Sequence, residues 1–264
     1  MHAFNYQNPK SVADAAAALS KGGDAKLLAG GQSLIAAMKL RLAAPTDLID
    51  LGGIKELTGF KVEGAGITIG AMTRHAEVAR SKDVLAKIPA LASLAGSIGD
   101  RMVRNMGTLG GSLAHNDPVA DYPAAVLGLG ATVNTNQRKI AADDFFKGMF
   151  ETALEPDEII TKVSFPLAKK AAYQKFKQPA SGFALVGVFV SKRGADIRVA
   201  VTGAGASGAF RVTAFEEALK KRFSPKSIEG MTVPATGLNG DIHGSAEYRA
   251  HLIAVLARRA LAAA

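Results

Sequence analysis

The stretch RNMGTLGGSLAHNDP, Arg104–Pro118, brings three glycines, a threonine and a serine together in a chain otherwise rich in alanine and leucine, with Asp117 as its one acidic residue. Such a segment leaves backbone amides with little side chain over them, which suits a closely approaching anion or a tight turn. A second segment, AGGQSL at Ala29–Leu34, has the same form as TLGGSL at Thr108–Leu113: two glycines, a small hydroxyl-bearing residue, then leucine. Ser33, Thr108 and Ser112 add hydroxyl donors. Two such clusters from different subdomains would grip the two phosphates of one dinucleotide. Two ordinary glycine turns would have the same composition.

The surroundings place both clusters. Ser11 is positioned to cap a helix to Lys21, with Asp14 three residues on and Val12, Ala15, Ala16 and Leu19 on one face. Lys26–Ala29 reads as a strand, and Ser33 as the cap of a short helix LIAAMKL. Asp47–Leu51 follows as the next strand, so the first glycine pair lies where a strand passes into a helix of a βαβ-like unit. From about Leu57 the texture changes. GITIGAM alternates like a strand, Thr73 reads as the cap of a helix through Arg80, and Pro89–Ala95 reads as another helix. DYPAAVLGLGATV is a buried segment, and IITKVSF a strand closing this region near Pro166. Beyond Lys169 come strands at Ala171–Lys177, Phe183–Val190 and Ile197–Val201, then helices at Thr213–Arg222 and Ala246–Leu261. In the last helix Leu252, Ile253, Leu256, Ala260 and Leu261 share the core face. The expected divisions are 1–57, 58–168 and 169–264.

With 264 residues, 48% hydrophobic and 21% charged, the chain has the composition of a folded protein with a sizeable core. MHAFNYQNPK lacks the features of a secretory leader, and no apolar run is long enough to span a membrane, so the expectation is a cytoplasmic protein. The absence of cysteine excludes disulfides, thiolate metal sites, iron–sulfur ligation and cysteinyl cofactor links. Any redox chemistry here would be carried by a bound organic cofactor. The net charge of +9 is compatible with nucleic acid, phosphate-bearing ligands or an acidic partner. The basic residues are scattered, aromatics are 6% and tryptophan is absent, which argues against nucleic acid.

GAGASG, Gly203–Gly208, matches G-x-G-x-x-G after the strand IRVAV. A dinucleotide fingerprint needs a helix at its last glycine and an acidic residue closing a strand about 20 residues later. Ile228 and Glu229 lie in no apolar strand, so a turn is expected here instead.

AGGQSLIAAMKLRLAAPTDLIDL and VRNMGTLGGSLAHNDPVADYPAAVLGLGATV resemble the two FAD-binding segments of the flavoprotein (medium) subunit of molybdenum hydroxylases, the family of aerobic carbon monoxide dehydrogenase and xanthine dehydrogenase. GAMTRHAEV resembles a family segment between them, and DIHGSAEYRAHLIAVLARRAL the family's C-terminal helix. The resemblance implies an α/β (α+β) flavoprotein: two N-terminal FAD-binding subdomains of the PCMH type and a C-terminal α/β domain with an antiparallel sheet. It puts Leu27, Leu28, Ala29, Gly30, Gly31, Gln32, Ser33 and Leu34 on one side of the pyrophosphate, and Thr108, Leu109, Gly110, Gly111 and Ser112 on the other. It also implies Thr73 in the family segment between the loops, Asp121 near ribose or adenine, Ile98 beside the isoalloxazine, Ile160 as an apolar contact and Lys177 as a basic residue near the flavin. Asp121 would equally serve as an N-cap before PAAVL.

The chain departs from family members that carry arginine and serine where it has Gln178, Pro179 and Ala180. His75 and His115 lack a partner at metal-ligand spacing, so no metal is expected. Gln32 stands where a flavin-linking histidine would sit, so FAD is expected to be non-covalent. The resemblance implies molybdopterin in a large subunit, [2Fe-2S] clusters in a small subunit, an (LMS)2 heterohexamer and an external electron acceptor. No side chain is singled out as catalytic. A stand-alone FAD-dependent oxidase or reductase would need its own substrate pocket with a catalytic Tyr, His or Ser. A phosphate- or nucleic-acid-binding module would carry no flavin.

Overall fold

The computed structural model describes residues 1–21 and 23–264. Its first region is a parallel sheet, β1 (Asn5–Gln7), β3 (Asp47–Asp50) and β2 (Ala25–Leu28) in that spatial order, with α1 (Val12–Lys21) and α2 (Leu34–Lys39) as connections. The Ser11 hydroxyl accepts from the Asp14 amide at 3.1 Å, so the expected α1 cap forms. Ala15, Ile49, Leu51, Ile54 and Leu57 close a small core, which Met72 and Ile159 of the next region complete.

The second region is an antiparallel sheet in the order β4 (Phe60–Glu63), β5 (Gly66–Gly70), β10 (Ile160–Pro166), β6 (Thr132–Thr135), β7 (Lys139–Ala141). Between β5 and β6 run α3 (His75–Arg80), α4 (Lys82–Lys87), α5 (Pro89–Gly96), α6 (Arg101–Met106), α7 (Leu109–His115) and α8 (Tyr122–Leu129). After β7 come α9 (Ala142–Phe145) and a hairpin, β8 (Phe146–Gly148) with β9 (Glu151–Thr152). Every residue of α8 is buried, as DYPAAVLGLGATV suggests. The reason lies in the third region, an antiparallel sheet in the order β11 (Lys170–Lys177), β12 (Ala184–Arg193), β13 (Asp196–Thr202), β14 (Phe210–Arg211).

Helices α10 (Thr213–Lys221) and α11 (Ala246–Ala263) cover one face of this sheet, where Val186, Val188, Phe215, Leu252 and Leu256 share a core. Helix α8 covers the opposite face, and Phe189 and Ala200 join the core of the second region there. The near-continuous apolar run of β12 follows from having both faces covered. Gly128 permits the approach, because a Cβ there would stand 2.6 Å from the Phe189 ring.

Two local expectations are corrected. Thr73 does not cap α3: Arg74 holds the N-cap position, and the Thr73 hydroxyl accepts from the Gly59 amide at 3.0 Å. Ser33 occupies the N-cap of α2 in a helical conformation, and its side chain makes no capping bond. The stretch Arg104–Pro118 is largely helical, split between α6 and α7, because packing against the first loop outweighs the low helix propensity of its glycines. GAGASG is followed by no helix, as expected: it is a turn between β13 and β14.

Candidate functional site

The chain leaves β2 at Leu28 and turns through Gly31, whose φ of +78° favours glycine. The first helical bonds of α2, Ile35 N to Gly31 O and Ala37 N to Ser33 O, are both 3.0 Å. Among the described residues, the amides of Gly30, Gly31, Gln32 and Ser33 donate to no protein acceptor. These four consecutive donors at a helix start form a positively polarised edge suited to an anion.

The second loop works differently from its sequence twin. Leu109 N bonds Thr73 O, Gly110 N bonds Ala71 O, and Ser112 N bonds Thr108 O. Thr108 Oγ1 caps α7 by accepting from Gly111 N at 3.2 Å. Its glycines serve contact instead of amide donation. A Cβ on Gly111 would stand 3.2 Å from Ala29 Cβ, and a Cβ on Gly30 would overlap the Met106 carbonyl oxygen. The two glycine segments therefore touch directly, and only the first presents a run of free amides.

Together they line a cavity of about 580 Å³ that also draws on the second and third regions. Leu27, Ala29, Gly30, Gly31, Gln32, Ser33, Leu34, Ile98, Thr108, Gly110, Gly111, Ser112, Asp121 and Ile160 lie on its wall. Four residues singled out from sequence do not. Leu28 packs behind Gly31, Leu109 is in the core, Thr73 is turned to Gly59, and Lys177 is exposed at the end of β11. The sequence reading weighed His75 only as a metal ligand, and it missed Glu158 and Ile159 and also Ser181 and Phe183 from the segment after Gln178–Ala180. That segment's departure from the family pattern was the one signal pointing to it.

Asp121 stands at the N-cap of α8 without capping it. Its carboxylate turns to β11, accepting from the Tyr173 hydroxyl at 2.5 Å and the Lys175 ammonium at 2.9 Å. Burial raises the Asp121 pKa, opposed by Lys175 and the Tyr173 hydrogen bond, and burial lowers that of Lys175, opposed by Asp121. Glu158, also on the cavity wall, is held down to about 2 by its hydrogen bond to Arg138. Among the described residues no cluster of His, Asp and Glu could hold a metal ion. His75 packs on Tyr122 at 5.2 Å, and His115 on Phe150 at 5.0 Å.

Burial, aided by the charge of Arg104, pushes the His75 imidazole down to about 4. The folded chain thus resists a proton that the unfolded chain accepts near 6.5. The contribution of neutral His75 is complete above about pH 6.5 and is lost as pH falls towards 4. Among the described residues His75 Nδ1 has no hydrogen-bond partner, so His75→Leu loses no bond there. The substitution should flatten the acid limb of stability against pH by up to about 1.4 kcal/mol per pH unit. Denaturant titrations across that window check it, and parallel curves for both proteins would contradict it.

A cavity between a βαβ unit and an antiparallel sheet, edged by free amides and walled by the third region, suits an extended phosphate-bearing ligand. Residues 2–168 match the family described as FAD binding domain in molybdopterin dehydrogenase, and residues 171–264 the CO dehydrogenase flavoprotein C-terminal domain. The chain is 36% identical to the carbon monoxide dehydrogenase medium chain of Hydrogenophaga pseudoflava, covering 99% of this chain and 96% of that one. It is 38% identical to the nicotine 6-hydroxylase medium subunit of Paenarthrobacter nicotinovorans, covering 98% and 96%. It superimposes with a TM-score of 0.88 at 38% identity on the structure of the Hydrogenophaga pseudoflava carbon monoxide dehydrogenase lacking the Mo-pyranopterin moiety, over 99% of this chain and 96% of that one. This chain belongs to the FAD-binding medium subunits of the molybdenum hydroxylase family, the family of carbon monoxide dehydrogenase and xanthine dehydrogenase. It is an oxidoreductase subunit, and FAD is its cofactor.

Proposed function

We propose that this chain is the flavin-carrying electron-transfer subunit of a cytoplasmic molybdenum hydroxylase complex. In this reading it receives electrons from the [2Fe-2S] clusters of a small subunit, which drains a molybdopterin-binding large subunit, and it serves an external acceptor. The complex would hold two copies of each subunit. FAD supplies the redox chemistry when bound. This chain supplies binding, orientation and exclusion of water.

The observation that carries the reading is the run of free amides at Gly30–Ser33, held against the start of α7 by glycine contacts. These amides would receive pyrophosphate oxygens, with the Ser33 hydroxyl free to join them because it does not cap α2. Ile98, Ile160 and Phe183 offer apolar wall for the flavin ring system, and Asp121 offers acceptor capacity to sugar hydroxyls. These 264 residues contain no cysteine, so in this reading the cluster ligands lie outside them. Gln32 has no nucleophilic side chain, which supports non-covalent attachment. Acid precipitation of the purified chain tests the cofactor assignment. Release of about one FAD per chain is expected; colourless protein, or flavin retained on the precipitate, would overturn it.

A further inference from the structure

The buried pair formed by Asp121 and Lys175 is more than an anchor between domains. We infer that Lys175 is a positioning residue for the flavin cavity, holding Asp121 as an oriented carboxylate that receives a hydroxyl of the bound dinucleotide. The inference rests on the FAD reading above and extends it to a residue that does not line the cavity.

The geometry is specific. Lys175 and Asp121 side chains are each 3% exposed and meet at 2.9 Å. The Lys175 ammonium also donates to the carbonyl of Ser97 at 3.3 Å, the residue just before Ile98 on the cavity wall. One ammonium from β11 thus ties together the end of α5 and the start of α8. Tyr173 lies two residues earlier on the same face of β11 and takes the other carboxylate oxygen. Space for its hydroxyl comes from Gly187 across the ladder, where any Cβ would overlap it. Each Asp121 oxygen thus receives one protein donor, and a carboxylate has about four lone-pair sites. The remaining capacity belongs to a residue on the cavity wall.

The titratable groups around Asp121 are Tyr173, Lys175 and Lys177 from β11, Tyr122 from its own helix, and His75 against Tyr122. Of these, Lys175 alone puts a cation in contact with the carboxylate. Lys175→Met keeps the bulk and removes that charge. Without it, burial favours the protonated carboxyl, so FAD affinity should weaken as pH falls and recover as pH rises.

The experiment measures FAD affinity of the full-length apoprotein by flavin fluorescence from about pH 5.5 to about pH 8.5, a range spanning a raised carboxyl pKa. Wild type is expected to vary little. Lys175→Met is expected to weaken by up to about tenfold per pH unit on descent, the limit for one linked proton. Asp121→Asn/Lys175→Met should lose that slope, because no carboxyl remains. Should Lys175→Met not fold, Tyr173→Phe carries the test, with a smaller slope of the same sign expected. Equal loss of affinity at every pH, or wild-type affinity throughout, would overturn the inference. Failure of wild type to bind FAD at any pH would instead defeat the cofactor reading.

Discussion

A chain carrying Gly30→Ala should purify folded and colourless, with FAD affinity reduced by at least about a hundredfold. The added Cβ would stand 1.9 Å from the Met106 carbonyl oxygen, so the two glycine segments must part. The free amides of Gly30–Ser33 move with them, and hydrogen bonds weaken steeply once distance and angle are lost. Gly31→Val should act in the same direction: its φ of +78° disfavours valine, and the new Cβ would stand 2.8 Å from Ile35 Cγ1. Gly110→Val is a different case. Its Cβ would meet Ala71 at 2.6 Å, a residue buried where the core meets the cavity wall, so FAD loss should come with a lowered melting temperature. Gly205→Ala crowds only the turn at Gly208 and Phe210; it should cost stability and keep FAD. The ratio of flavin to protein absorbance, with circular dichroism, separates these outcomes. Normal flavin content in Gly30→Ala would contradict the account of the loop contact.

Arg249→Leu should destabilise the C-terminal domain by about 2–5 kcal/mol, the cost of orphaning two buried carbonyls. Arg249 is 2% exposed and donates to Leu185 O at 2.8 Å, Gly203 O at 3.1 Å and the Asp241 carboxylate at 2.7 Å. Asp241 is about half exposed and can turn to water, so the carbonyls dominate. The effect should reach the cavity, because the Gly203 amide and Thr202 hydroxyl both donate to Pro118 O beside the cavity-lining segment Asp117–Asp121. Thermal unfolding with and without FAD checks it. An unchanged melting temperature would show that those carbonyls find other partners.

Local chemistry made much of this legible. Ser11 with Asp14, the strand IITKVSF and the apolar stripe of the last helix each carry their own signal, and each forms as read. The cavity was legible as two glycine segments, because glycine marks close approach whatever it approaches. What each glycine touches was not, since Gly30 meets Met106 and Gly111 meets Ala29 only in three dimensions. Lys177 and Lys175 show the same limit. They share a face by strict alternation, but the ladder register shifts between Phe176 and Lys177, leaving Lys177 exposed and Lys175 on Asp121. A bulge of this kind depends on the partner strand, and no residue near Lys177 announces it.

The central claim is that this chain works as the flavin subunit of a larger complex. Its most direct test isolates the chain with its large and small subunits, adds the organic substrate of that complex without oxygen, and follows flavin absorbance. Bleaching is predicted with the three subunits together and absent for the FAD-loaded chain alone. Reduction of the isolated chain by that substrate at the rate of the full complex would contradict the claim and establish a stand-alone flavoenzyme.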